Sequence, residues 1–138
     1  MHSVRLWVML ALLSPVWGLA GCTSEAESEA WQRVGADEFA DAVENETEAF
    51  LLDTRTQPEW EQDGHLSNAT LIPHDELEQR DDELPEDKSI TILLYCRSGN
   101  RSQQAAQTLL DLGFTNIIEL NTGINGWKDA GYPVEYGS

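Results

Sequence analysis

The chain has 138 residues, 41% apolar and 24% charged, the balance of one soluble folded domain and not of a disordered tail. Acids outnumber bases 25 to 8, for a formal net charge of −17, which argues against a nucleic-acid partner that needs a basic face. Two cysteines, Cys22 and Cys96, rule out a disulfide-rich scaffold, and with the scattered His65 and His74 they supply too few ligands for a zinc knuckle, so neither a metal nor an organic cofactor is expected.

Met1–Arg5 carries one positive charge, and Leu6–Gly21 then runs without any. That stretch is shorter than the roughly 20 apolar residues that span a bilayer, and Pro15, Gly18 and Gly21 interrupt it. Residues 1–21 therefore read as an export signal, to be set aside from the fold. The tetrapeptide Leu19-Ala20-Gly21-Cys22 resembles the bacterial lipoprotein box, which implies cleavage before Cys22 and lipid on its sulfur. An ordinary signal peptide that happens to precede a Cys is the alternative. The expectation is an exported lipoprotein anchored to a membrane. Thr23, where an acid would signal retention, points to the periplasmic side of an outer membrane in a cell that has one. Residues 22–30, small, polar and acidic after Cys22, read as a tether. With Cys22 acylated, Cys96 is left as an unpaired thiol in an oxidising compartment, a liability unless it has a use.

Residues 31–136 form the expected folded domain. Trp31–Val34 reads as a short strand and Ala36–Asn45 as a helix, followed by a strand over Ala49–Leu52 and a short acidic helix over Thr56–Asp63. Ala69–Ile72 is a further strand closed by Pro73, and Asp75–Glu83 is expected to be helical. Ile90–Tyr95 is apolar or β-branched almost throughout, the pattern of a parallel strand buried on both faces. Ser102–Leu112 carries one apolar stripe and meets its stop signal at Gly113, Asn116–Leu120 is a strand, and Ile124–Ala130 is a last short helix. Strands alternating with helices predict an α/β fold on a central parallel sheet flanked by helices.

The chemistry is expected where the best strand meets the best helix, because ligands of open α/β sheets bind beyond the carboxyl ends of the strands. Cys96 stands there, and Arg97-Ser98-Gly99-Asn100-Arg101-Ser102 leads into the helix. A short glycine-containing loop on a helix N-terminus aims several backbone N–H groups at one point. Together with the helix dipole and two arginines it should depress the pKa of Cys96 and supply thiolate, the nucleophilic form. No acid occurs between Lys88 and Leu110, whereas Lys88, Arg97 and Arg101 do, a basic island in an acidic chain. A small anionic substrate would be drawn to it.

The run Cys96-Arg97-Ser98-Gly99-Asn100-Arg101-Ser102 resembles the active-site loop of the rhodanese family, the single-domain sulfurtransferases. Leu51-Leu52-Asp53-Thr54-Arg55, with Glu59 and Trp60 after it, is similar to the family's Asp-x-Arg strand end. Gly64-His65-Leu66 to Ile72-Pro73, and Leu120–Gly123 with Trp127 and Gly131-Tyr132-Pro133-Val134, match its later motifs. Asn68 and Thr122 depart from it, each standing where the family has Gly. The resemblance spans the whole domain and implies a rhodanese-like fold and a ping-pong transfer. Cys96 would take the outer sulfur of thiosulfate or a similar donor, hold it as a persulfide, and pass it to cyanide or a thiol. Residues 97–102 would bind substrate, the arginines gripping its oxyanion, and a protein acceptor would make the domain a sulfur carrier. Cysteine phosphatases and arsenate reductases are the rival class, but their cradle places five residues between Cys and Arg, and here four separate Cys96 from Arg101.

Plainer roles stand beside these. Cys96 as a buried structural thiol is the alternative to a reacting one. Asp53 and Arg55 either support the site or form an ion pair steadying a strand end. His65 and His74 are read as turn or surface residues, Trp60 and Trp127 as packing aromatics, and Asp75–Asp87 as a solvated acidic face, tuned if anything to salt.

Overall fold

A computed structural model of the chain describes residues 30–138, and the expected signal and tether up to residue 29 lie outside them. Five strands, β1 (Gln32–Val34), β2 (Phe50–Asp53), β3 (Thr70–Leu71), β4 (Ile92–Tyr95) and β5 (Ile117–Leu120), form one sheet in the order β1-β5-β4-β2-β3. Every pairing between them is parallel. Four helices lie between and after them: α1 (Ala36–Asn45), α2 (Gln57–Asp63), α3 (Arg101–Asp111) and α4 (Gly123–Asp129). This is the α/β architecture that the alternation predicts. Among the described residues no helix is long and apolar enough to cross a membrane.

The run of β4 is apolar throughout because both of its faces are buried. Leu52, Ile92, Leu94 and Ile117 point to one side and meet Ala105, Ala106 and Leu109 of α3. Leu51, Leu93, Tyr95 and Leu120 point to the other and meet Phe39 of α1 and Ile124 and Trp127 of α4. Trp127 packs edge-on against Phe39, and its indole donates to the Pro133 carbonyl at 2.9 Å. Two apolar layers thus clamp β4, and its carboxyl end sits at the middle of the sheet edge, between β5 and β2.

The departures from expectation are local. Asp75–Glu83 is not a helix: residues 74–80 form successive turns and only Asp81–Glu83 closes a single 3-10 turn. The segment buries Leu77 but otherwise carries acids at nearly every step, and like charges at helical spacing repel. The strand expected from Ile90 begins at Ile92, because Asp87 accepts from the Ser89 amide and hydroxyl and holds the preceding residues in a turn. Asn68 adopts φ 63°, the conformation that glycine takes without cost and asparagine tolerates.

Candidate active site

Cys96 follows β4 directly and is almost fully buried. The chain turns back over it so that the Gly99 amide donates to Sγ at 3.1 Å, while Ser102 Oγ of α3 lies 3.4 Å from the sulfur. Burial pushes the thiol up, the hydrogen bonds around the sulfur, those of the Ser102, Gly99 and Ser98 amides among them, pull it down, and the net shift is downward. Inward-facing dipoles stabilise negative charge on sulfur, as an anion-binding nest does.

The loop is held from several sides. Gly99 has φ +97°, and a Cβ there would run into the Asn121 carbonyl at the end of β5. Gly123 has φ +63°, and a Cβ there would strike the Arg97 carbonyl. Both positions need glycine for backbone conformation and for close approach. The amides of Ile124 and Asn125, in the first turn of α4, donate to the carbonyls of Cys96 and Arg97 at 2.8 and 3.2 Å. Gln103 reaches back to the Gly99 carbonyl at 2.7 Å. Thr122, where the resembled motif has a second glycine, has φ −92° and needs none.

Of the residues expected around Cys96, Ser98, Gly99 and Ser102 turn polar groups toward the sulfur, and the others do not. Arg97, Ser98 and Asn100 are exposed, while Gly99 and Ser102 are buried. Arg101 forms a two-pronged ion pair with Glu59 of α2, at 2.6 and 2.7 Å. That pairing holds the Glu59 carboxyl down at about 2, with the Arg101 hydrogen bond as the leading cause, and raises the Arg101 guanidinium in turn. Arg97 is left as the exposed guanidinium at the loop, and among the described residues it forms no ion pair.

Asp53 and Arg55 pair with each other in full burial, Nη2 to Oδ2 at 2.8 Å, and Arg55 also donates to the Gly64 carbonyl at 2.7 Å. Arg55 lies over the Tyr95 ring, whose phenol accepts from the Leu66 amide at 3.1 Å and is pushed up by burial. This cluster ties the end of β2 to the loop before β3 and does not touch the sulfur. His65 is buried against Trp60, ring on ring at 3.5 Å, and its backbone bridges to Glu135. His74 lines a different cleft, with Asp75, Glu78, Gln104 and Thr108. Among the described residues no group of three or more His, Cys, Asp or Glu is arranged to hold a metal ion.

Sequence reasoning missed Glu119. It is fully buried on β5 and accepts from Ser102 Oγ at 2.6 Å, Arg33 Nε at 2.7 Å and Trp31 Nε1 at 3.1 Å. A signal existed: it is the one charged residue in an apolar strand, two positions from the core residue Ile117 and so on the same face. Its partners lie up to 88 residues away and leave no mark in local sequence.

Comparison with known proteins gives the same assignment from another direction. Residues 35–130 match the model of the rhodanese-like domain. A sulfurtransferase of Allochromatium vinosum is 31% identical over 101 residues, covering 73% of this chain and 92% of that protein. A putative sulfur carrier protein of Bacillus subtilis is 33% identical over 94 residues, 68% of this chain, which spans about half (49%) of that longer relative. Among solved structures, a rhodanese-related protein of Thermoplasma volcanium superimposes with a TM-score of 0.66 at 32% identity, over 78% of this chain and all (100%) of that one. With its parallel sheet, its cysteine loop at the carboxyl end of the central strand and these matches, the chain belongs to the rhodanese-like domain family.

Proposed function

We propose that the domain is a sulfurtransferase that moves sulfane sulfur through a persulfide on Cys96. The observation that carries this reading is the Gly99 amide 3.1 Å from a buried Cys96 sulfur whose pKa is drawn down. The thiolate attacks the outer sulfur of thiosulfate or a similar donor. The S–S bond of the donor breaks, its electron pair leaves with sulfite, and Cys96 carries a persulfide. A nucleophilic acceptor, a thiol or cyanide, then attacks the terminal sulfur, and the bonding pair returns to Cys96 as thiolate. One difficult transfer is split into two displacements. The amides of residues 98, 99 and 102 suit the anionic states at both ends of the cycle. Arg97 attracts the oxyanion of the donor against the acidic field of the chain, and the Glu59–Arg101 pair steadies the first turn of α3.

The Bacillus subtilis relative supports a second reading, in which the persulfide is delivered to a protein partner with little free thiosulfate turnover. Leu19–Cys22 supports attachment of the mature protein to a membrane through lipid on Cys22, on the exported side of that membrane.

Intact mass of the full chain after thiosulfate treatment tests the chemistry. A gain of one sulfur atom that a reductant reverses and that Cys96→Ser abolishes is expected; its absence in the unaltered protein overturns the reading. A single-turnover burst followed by slow steady-state thiocyanate formation favours the carrier, and sustained turnover favours the enzyme.

A further inference from the structure

The transfer chemistry above makes no use of Glu119, although its carboxylate ends a hydrogen-bonded chain that begins at the reacting sulfur. Oε2 accepts from Arg33 Nε and Trp31 Nε1, and Oε1 accepts from the Ser102 hydroxyl at 2.6 Å and from Arg33 Nη2 at 3.4 Å. Ser102 Oγ is in turn 3.4 Å from Cys96 Sγ. The groups that face Glu119 are therefore Arg33 of β1, Trp31 just before it, and Ser102 of α3 with Cys96 beyond it. Its register partner on β4 is the apolar Leu94, and α1 lies on the opposite face of the sheet, where it packs through Phe39.

A serine hydroxyl has one hydrogen and two lone pairs. Two acceptors compete for the Ser102 hydrogen, and they are unequal. A carboxylate at 2.6 Å makes a short charge-assisted bond, while the sulfur is 3.4 Å away. The hydrogen goes to Glu119, and a lone pair of Ser102 faces Cys96, where a thiol S–H can donate to it. That contact favours the thiol, in opposition to the loop amides, which favour the thiolate. We propose that Glu119, acting through the orientation of the Ser102 hydroxyl, is a positioning residue that holds Cys96 partly in its thiol form at neutral pH. The consequence is chemical. A thiol is the best attacking group when its pKa lies near the ambient pH, since a more acidic thiolate is a weaker nucleophile. A fully ionised thiol is also the more readily oxidised. The inference rests on Cys96 being the reacting thiol of the proposed transfer.

The pH profile of Cys96 alkylation by iodoacetamide, read in the full chain by peptide mass, tests it. In Glu119→Gln the amide oxygen must take the place facing the two donors Arg33 and Trp31, so the NH2 faces Ser102 and turns its hydrogen to sulfur. The midpoint is expected to move down by about one pH unit. At a pH well below both midpoints alkylation should then rise about threefold, tenfold more thiolate being partly offset by its lower nucleophilicity. In a Ser102→Ala background the same substitution should shift the midpoint by less than half as much. A folded Glu119→Gln protein with an unchanged or raised midpoint overturns the proposal, as does a shift of half or more in the Ser102→Ala background, which would mean that Glu119 acts through space or through Arg33, whose Nη2 donates to the Gly99 carbonyl at 3.4 Å. If Glu119→Gln does not fold, Ser102→Ala alone decides: a lowered midpoint supports the proposal, and an unchanged or raised one overturns it. Alkylation reads the thiol whether or not sulfur is transferred, so a protein that shifts as expected yet forms no persulfide counts against the function and not against this coupling.

Discussion

Gly99→Ala isolates the contribution of the loop to the thiol. At φ +97° an alanine costs about 1–2 kcal/mol in backbone strain alone. Its Cβ would also overlap the Asn121 carbonyl, which is backbone at the end of a core strand and cannot swing aside. Overpacking of that kind adds about 1–3 kcal/mol, and the loop is the less constrained partner, so the loop moves. Its movement withdraws the Gly99 amide from Cys96 Sγ. A hydrogen bond to a charged group contributes about 1.5–3 kcal/mol, and one pKa unit corresponds to about 1.4 kcal/mol. The sign follows from which form is favoured: the amide stabilises the thiolate, so its loss raises the midpoint of thiol ionisation by about 1–2 pH units. Iodoacetamide reactivity at pH 7 should fall accordingly, and persulfide formation with it. Urea denaturation should show a parallel loss of stability. A folded Gly99→Ala protein that titrates and reacts like wild type would refute the assignment of this amide to the sulfur.

Cys96→Ser should abolish thiocyanate formation while leaving the urea midpoint nearly unchanged, and residual turnover would remove the nucleophile. Glu59→Gln breaks the pair with Arg101. The Glu59 carboxyl lies at about 2 in the fold, below its ordinary value of 4.5, so its stabilisation is complete above pH 4.5 and fades as the pH falls toward 2. Because the pair is partly exposed and screened, the wild type should exceed the variant by only about 0.5–1 kcal/mol at pH 7, and a difference that persists undiminished at pH 2.5 contradicts the linkage. Leu94→Ala empties a fully buried site in the central strand and should cost about 2–5 kcal/mol in urea unfolding; a loss below about 1 kcal/mol would show that the two layers collapse around it. Cys22→Ser should release the protein from membranes into the soluble fraction, and a variant that still sediments with membranes argues against the lipid anchor.

What could be read from the chain alone was whatever short-range pattern encodes. The unbroken apolar run ending at Tyr95 announced a strand covered on both sides, and the stripe on residues 102–112 announced the helix that covers one of them. Cys96 and its glycine loop were legible because strand, turn and helix start are contiguous, so the amides that hold the sulfur come from the residues that follow it. Asp75–Glu83 misled because its polar composition is compatible with a helix, and only the competition between acid repulsion and burial of Leu77 decided for turns. The pairing of Glu59 with Arg101, which leaves Arg97 as the exposed cation at the loop, joins residues 42 apart and exists only once α2 and α3 flank the same strand ends. Glu119 is the sharpest case. Its position in an apolar strand was visible, but its connection through Ser102 to the sulfur required the parallel sheet to place β5 beside β4 and α3 above both. Local sequence determines which dipoles a residue carries along the chain with it, whereas the direction of a single hydroxyl hydrogen depends on which distant acceptor the fold brings nearest.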